Sequence, residues 1–289
     1  MSLLTDFAEN KFVDWLLRAQ AWTPGGSLYA ALASAASDGS IAEISGTAYA
    51  RQALSRALAT WAGTQAAGST TASTGTSHTT SNNAAINFGS AGSAWGSVTH
   101  LVIYDASTSG NPIAYIPLPN GTLTVATSDP VSFAAGSISF SLGLTGGCTD
   151  YLANKLIDWL FRGQTYTPQT PLYRGLFTAA PTNAGGGTEV SGGSYARASI
   201  VPSLANMSGT QGAGSTAASN SSSGQTSNNV SIAFPAPTGS WGTVTHAGWF
   251  DASTGGNLLF WSALTTPRTI ASGQPAPVWN PGSATITFA

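Results

Sequence analysis

Charge is scarce in this chain. Lys and Arg together number 9 and Asp and Glu 11, so only 7% of the 289 residues are charged. An ordinary soluble domain carries roughly 25%. Nine scattered basic residues cannot line a phosphate backbone, which excludes nucleic acid as a partner. The net charge of -2 supplies no long-range steering field. A single cysteine, Cys148, excludes an intrachain disulfide framework and a cysteine-based zinc site. No apolar run approaches the ~20 residues of a membrane span, so no membrane partner is expected. Asp6, Glu9, Lys11 and Asp14 interrupt the place where a signal peptide would have its apolar stretch. The expectation is therefore a soluble protein made in the cytoplasm without a signal peptide. What the chain does have is 34 Gly, 15 Pro, 9 Trp and 42% apolar residues. That is ample core material and argues against disorder. The length suits one large domain or two ordinary ones.

Internal repetition decides between these. Asn10-Lys11-Phe12-Val13-Asp14-Trp15-Leu16 recurs as Asn154-Lys155-Leu156-Ile157-Asp158-Trp159-Leu160. Glu43-Ile44-Ser45-Gly46 with Tyr49-Ala50-Arg51 recurs as Glu189-Val190-Ser191-Gly192 with Tyr195-Ala196-Arg197. Between these two matches the spacing grows by two residues. Gly63-Thr64-Gln65 returns as Gly209-Thr210-Gln211, and Ser81-Asn82-Asn83 as Ser227-Asn228-Asn229. Trp95-Gly96 and His100 return as Trp241-Gly242 and His246, and Asp105-Ala106-Ser107-Thr108 as Asp251-Ala252-Ser253-Thr254. The period is far too long for a solenoid and reads as a tandem duplication of a whole domain. The expected domains are 1–145 and 146–289, joined by a short linker over Leu144–Thr149.

Each copy opens on a helical pattern. Leu152, Leu156, Trp159 and Leu160 form one apolar stripe, matched in the first copy by Ala8, Phe12, Trp15 and Leu16. Asn154, Lys155, Asp158 and Arg162 fall on the opposite face, which predicts exposure. Asp14 with Arg18, and Asp158 with Arg162, are i,i+4 pairs in the favoured order. Thr23-Pro24 and Thr167-Pro168 mark the helix exits. The period then switches to two, as in Ile138, Phe140 and Leu142, or Ile286 and Phe288. Further strand runs are Leu172–Phe177, Tyr195–Val201, Val244–Phe250 and Leu258–Leu264, punctuated by Gly, Pro and Asn. The fold class is mainly β: two tandem antiparallel β-sandwich domains, immunoglobulin-like or jelly-roll, each preceded by an α-helix. One segment per copy fits poorly. Residues 63–83 and 209–229 are almost wholly Gly, Ser, Thr, Ala, Asn and Gln, and so long a structureless stretch is suspicious in a compact domain. It reads either as a mobile loop or as an arm that orders against a neighbouring subunit. The candidate contact residues on the arms are Gly63, Gln65, Asn82 and Asn83, and Gly209, Gln211, Asn228 and Asn229.

Catalytic chemistry finds few candidates. His100 and Asp105, or His246 and Asp251, lack a nucleophile elbow, and residues five apart on a strand face opposite ways. The Asp is better read as folding its own turn through its side chain. Glu43 and Asp105, or Glu189 and Asp251, are the only retained carboxylates outside the helix that glycoside hydrolysis could use. Glu43 with Arg51, and Glu189 with Arg197, are better read as partly buried structural ion pairs. Trp95 and Trp241 could stack on sugars, but next to Gly at a strand start they read as packing residues. No cluster suggests a transition metal or calcium, and no Gly-rich loop precedes a helix to hold phosphate, so no cofactor is expected. The sequons at Asn120, Asn206, Asn220 and Asn229 are what chance gives in an Asn/Ser-rich chain.

The second copy carries a resemblance. Leu152 to Gly163, Tyr166-Thr167-Pro168, Leu172 to Pro181, Gly187 to Arg197, Trp241 to His246 and Phe250 to Leu259 occur in an order that resembles a family of small tailed-bacteriophage structural proteins. Members are labelled tail fibre or head decoration (cement) proteins and usually have one such domain. The first copy departs from the pattern over Ala33–Ile41 and Pro112–Pro119. The resemblance implies a non-enzymatic virion component. The reading taken from it is a capsid decoration protein bound to the major capsid protein, in a homo-oligomer such as a trimer, with avidity across many copies. A tail fibre or tail-tip protein, partnered by tail proteins, is the alternative. A carbohydrate-binding or carbohydrate-active module is the alternative of another class.

Overall fold

Two threonines start the helices. Thr5 accepts the Ala8 N–H and Thr149 the Leu152 N–H, both at 3.4 Å, which caps each first turn. The same hydroxyls donate to strand carbonyls, Thr5 to Pro112 (2.5 Å) and Thr149 to Leu258 (2.6 Å). Each helix start is thereby tied to its own copy. The computed structural model describes residues 3–143 and 147–288. The expected boundary at 145/146 and half of the expected linker lie on Leu144–Gly146, outside the described residues.

The first copy runs α1 (Asp6–Arg18), β1 (Ser27–Ser37), β2 (Ser40–Glu43), β3 (Gln52–Ser55), β4 (Thr79–Ser81), β5 (Ile86–Ser90), β6 (Gly96–Val98), β7 (His100–Tyr104), β8 (Pro112–Pro117), β9 (Leu123–Val125), β10 (Pro130–Phe133) and β11 (Ser139–Ser141). The second runs α2 (Asp150–Arg162), β12 (Leu172–Ala179), β13 (Thr188–Glu189), β14 (Ala198–Ile200), β15 (Gln225–Ser227), β16 (Ile232–Ala233), β17 (Gly242–Phe250), β18 (Leu258–Ile270), β19 (Val278–Trp279) and β20 (Thr285–Thr287). The chain is mainly β, with two tandem β-sandwich copies that each follow a helix.

In each copy one long strand organises a five-stranded antiparallel sheet. The order is β2-β1-β7-β8, with β3 also on β1, and β13-β12-β17-β18, with β14 also on β12. One edge of β1 is long enough to serve two short strands, β3 over Ser27–Ala30 and β2 over Ala33–Ser37. The central register is the same in both copies: Tyr29 opposes Tyr104 and Ala33 opposes His100, as Tyr173 opposes Phe250 and Phe177 opposes His246. Short ladders complete each copy: β5 with β10, β4 with β11 and β6 with β9, and then β16 with β19 and β15 with β20.

The chain forms two compact units, and their membership does not follow the sequence copies. Among the described residues, one unit holds 3–9, 22–143 and 154–166. The other holds 10–21, 147–153 and 167–288. Each sandwich therefore packs the body of the helix that opens the other copy. In the first unit Phe161 of α2 lies between Trp61 (ring centroids 4.8 Å) and Phe140 (4.7 Å). In the second, Phe12 of α1 stacks on Phe288 at 6.2 Å, and Phe288 meets Phe260 edge-on at 5.6 Å. All of these except Phe260 are fully buried or nearly so, and aromatic groups of this size dominate core energetics.

The helices end alike. Gln20 N–H reaches back to Asp14 C=O (2.9 Å) past a left-handed Ala19 (φ 56°), and Gln164 reaches Asp158 C=O (3.0 Å) past Gly163 (φ 66°). Arg56 closes the end of α2, donating to the carbonyls of Leu160 (2.7 Å) and Trp159, where the helix dipole favours a cation.

Candidate functional site

Of the helix face expected to be exposed, Lys155 is exposed, but Asn154, Asp158 and Arg162 are buried. Asp158 is 5% exposed and Arg162 0%, and Asp14 and Arg18 are 6% and 0%. The segments expected as mobile loops or arms toward a neighbouring subunit are what covers them. In the first unit the Arg162 guanidinium donates from Nε to Trp61 C=O (2.9 Å), from Nη1 to Asp158 (2.5 Å) and Ser73 Oγ (3.1 Å), and from Nη2 to the carbonyls of Thr71 (2.6 Å) and Ser69 (3.3 Å). All five donors of the fork find acceptors. Asp158 in turn accepts from Ser73 N–H (2.8 Å) and Oγ (2.6 Å), and Asn154 accepts from Thr64 Oγ1 (2.5 Å) and donates to Gly75 C=O (3.0 Å).

The second unit repeats this set. Arg18 donates to Met207 C=O (3.0 Å), Asp14 (2.5 Å), Ser219 Oγ (3.2 Å) and the carbonyls of Ala217 (2.7 Å) and Ser215 (3.5 Å). Ser219 donates twice to Asp14, and Thr210 Oγ1 donates to Asn10. The physical reason is acceptor demand. A buried ion pair persists only if its remaining hydrogen bonds are met, and a segment of Gly, Ser, Thr and Ala can bring many carbonyls and hydroxyls close without bulk. The low-complexity segment is a socket for the helix.

The eight arm residues build that socket from within. Gln65 Nε2 donates to Ser69 Oγ (2.5 Å) and Thr71 Oγ1 (2.9 Å), and Gln211 Nε2 to Ser215 Oγ (2.5 Å). A Cβ on Gly63 or Gly209 would meet the Gln65 or Gln211 amide at 2.5 and 2.4 Å. Asn82 and Asn228 are buried, each donating to two carbonyls and accepting one N–H. Asn83 donates to Ser69 C=O (3.3 Å) and Asn229 to Ser215 C=O (3.2 Å).

The remaining sequence-selected residues fall into one network per copy. Arg51 forks onto Glu43 at 2.9 and 2.6 Å and donates its other end to the carbonyls of Ala106 (2.8 Å) and Ser109 (2.6 Å). Its guanidinium lies 3.4 Å above the Tyr104 ring. Asp105 holds that same turn by accepting from Asn111 N–H (2.6 Å) and Nδ2 (2.9 Å). In the second copy Arg197 holds Glu189 at 2.7 Å twice and reaches Ala252 and Gly255, above the Phe250 ring. Asp251 accepts from Asn257 in the same way.

Two tyrosines without an assigned role complete these networks. Tyr49 Oη donates to Glu43 (3.0 Å) and accepts Leu32 N–H (2.9 Å), and Tyr195 does the same with Glu189 and Leu176 (2.9 Å each). Burial, with the nearby carboxylate adding to it, holds both phenols well above their ordinary range. The signal was present in the Tyr-Ala-Arg motif, whose period of two puts Tyr and Arg on one side. Trp95 and Trp241 are buried, donate Nε1 to Thr47 C=O (3.1 Å) and Gly193 C=O (3.0 Å), and meet Tyr49 and Tyr195 edge-on. A buried indole cannot serve as a sugar platform.

His100 and His246 are half-buried and share a hydrogen bond with the preceding threonine (2.7 and 2.8 Å) rather than with Asp105 or Asp251. Burial lowers the His100 pKa. Cys148 is buried, and desolvation pushes its thiol up. Among the described residues no three His, Cys, Asp or Glu side chains are grouped to hold a metal, and no helix is long and apolar enough to cross a membrane.

Fold and polar networks together define a duplicated β-sandwich whose retained charges hold helices and turns. The chain belongs to the family described as podophage GP4 fiber I protein gp80, whose model matches residues 3–141 and again 147–287. Comparison with curated proteins finds no match.

Proposed function

We propose that the chain is a non-enzymatic structural component of a phage fibre, located on the virion and partnered by tail proteins. The observation that carries this reading is the double match to a fibre family across both copies. The geometry supports it: Glu43, Asp105, Glu189 and Asp251, the carboxylates that glycoside hydrolysis could have used, are each engaged by donors that fold the chain. Head decoration through the major capsid protein is the competing location. Both readings keep the protein as a virion part that works by repeated contacts rather than turnover.

Immunogold labelling of intact virions against this chain separates them. Gold on tail-associated fibres is expected, and gold distributed over the head would overturn the fibre reading in favour of decoration.

A further inference from the structure

Each copy has a groove of about 370 Å³ in the same place, lined by residues 118–123 in the first copy and by the end of the edge strand β18 in the second. The two grooves are lined differently. Where the first presents Leu123, Phe133 and Ala134, the second presents Arg268, Trp279 and Asn280. The pairing fixes these equivalences: Leu123 opposes Val98 as Arg268 opposes Val244, and Phe133 opposes Ile86 as Trp279 opposes Ile232. Thr265, Thr266 and Ser283 add hydroxyls to the second groove, and no acidic residue lines it.

The charge there is unusual for this protein. Arg18, Arg51, Arg162 and Arg197 are in ion pairs and Arg56 caps a helix. Arg268 is exposed, and among the described residues its guanidinium has no ion-pair or hydrogen-bond partner. A second cation lies behind the groove wall. Arg174 is 3% exposed, without a carboxylate partner, and its guanidinium sits 5.4 Å from the Trp279 ring and 4.9 Å from the Trp249 ring. Its Nε has no hydrogen-bond partner. Burial lowers its pKa to about 9, which still leaves it charged at neutral pH. The first copy has Ala30 at this register position. Trp279 is held by Arg174 on one side and by Phe234 at 5.6 Å, and it is left half-exposed toward the groove.

We infer that the second-copy groove binds a carboxylate-bearing saccharide, with the sugar face on Trp279, its carboxylate on Arg268 and its hydroxyls on Asn280, Ser283 and the two threonines. An aromatic ring with a few convergent polar groups in a small concavity fixes a ligand that is apolar on one face and polar at its rim. The free guanidinium fork suits a carboxylate, and two cations with no acid select an anionic ligand over a neutral one. The inference rests on the fibre reading only for the source of the saccharide, an acidic bacterial surface polysaccharide.

The test uses the full chain on an array of uronate-bearing, sialate-bearing and neutral oligosaccharides, followed by titration of the best acidic binder. Binding to acidic glycans is expected to exceed binding to neutral ones and to weaken with salt. Arg268→Leu and Trp279→Phe, which install the first copy's residues, are expected to weaken it at least about ten-fold and several-fold. Arg268 is exposed, so its variant keeps the fold. No preference for acidic glycans, binding unchanged in Arg268→Leu, or equal binding of tetraglutamate would each overturn the inference. Gold labelling on the head with intact binding would remove the fibre reading alone, and fibre labelling without binding would remove the groove alone.

Discussion

Arg162 donates all five of its N–H groups inside the fold, and Asp158 depends on it for charge balance. Replacing it with Met leaves a buried carboxylate without its cation, and breaking a buried pair in this way costs about 3–5 kcal/mol. Arg162→Met is therefore expected to lower the denaturant midpoint strongly, as chemical denaturation will measure. The tyrosines make a pH prediction. Tyr49 and Tyr195 keep their protons in the fold above the pH at which the unfolded chain loses them, near 10. The native state then binds more protons than the unfolded state, so stability present below pH 10 falls as pH rises beyond it. Tyr49→Phe with Tyr195→Phe should be less stable at neutral pH, through the lost Glu and backbone bonds, yet show a shallower alkaline decline in thermal melts. The pairing of Glu43 with Arg51 was legible from their joint recurrence. The burial of Asp14 and Arg18 was not, because an i,i+4 ion pair reads the same whether water or a carbonyl-rich socket covers it.

Among the elements, the helices and central strands were legible because their apolar periods are clean. The end of β18 was not: Thr265-Thr266-Pro267-Arg268 has no apolar alternation, and Pro is tolerated there because that stretch includes a break in the ladder between Ala263 and Arg268. The order of the low-complexity segments against the helices is hidden for a related reason. Composition reports what a segment lacks in apolar side chains, whereas these segments act through backbone carbonyls and small hydroxyls. At the helix ends, Gly163 holds φ 66° and its missing Cβ would fall 2.4 Å from Arg56 C=O, the residue that caps α2. Gly163→Ala should cost about 2 kcal/mol, from the left-handed backbone penalty together with displacement of Arg56. Equilibrium unfolding of the single variant checks this, and a change within error would show that the helix end relaxes freely.

For the whole molecule, the duplication was legible and the reassignment of the helices was not. Both helices carry the same Asn, Asp and Arg spacing, and both sockets the same Gly-Thr-Gln opening, so nothing in the sequence matches one helix to one socket. The structure pairs residues 154–166 with the first sandwich and 10–21 with the second. Each sandwich then depends for its core and its buried ion pair on a helix encoded in the other copy. This is the claim on which the structural account of the retained charges rests, and local protection against exchange tests it. Native-state hydrogen exchange on the full chain carrying Arg162→Met should show lost amide protection across residues 61–83, with residues 207–229 retaining theirs. Loss across 207–229 with 61–83 unchanged would mean that α2 docks in its own copy and would contradict the account.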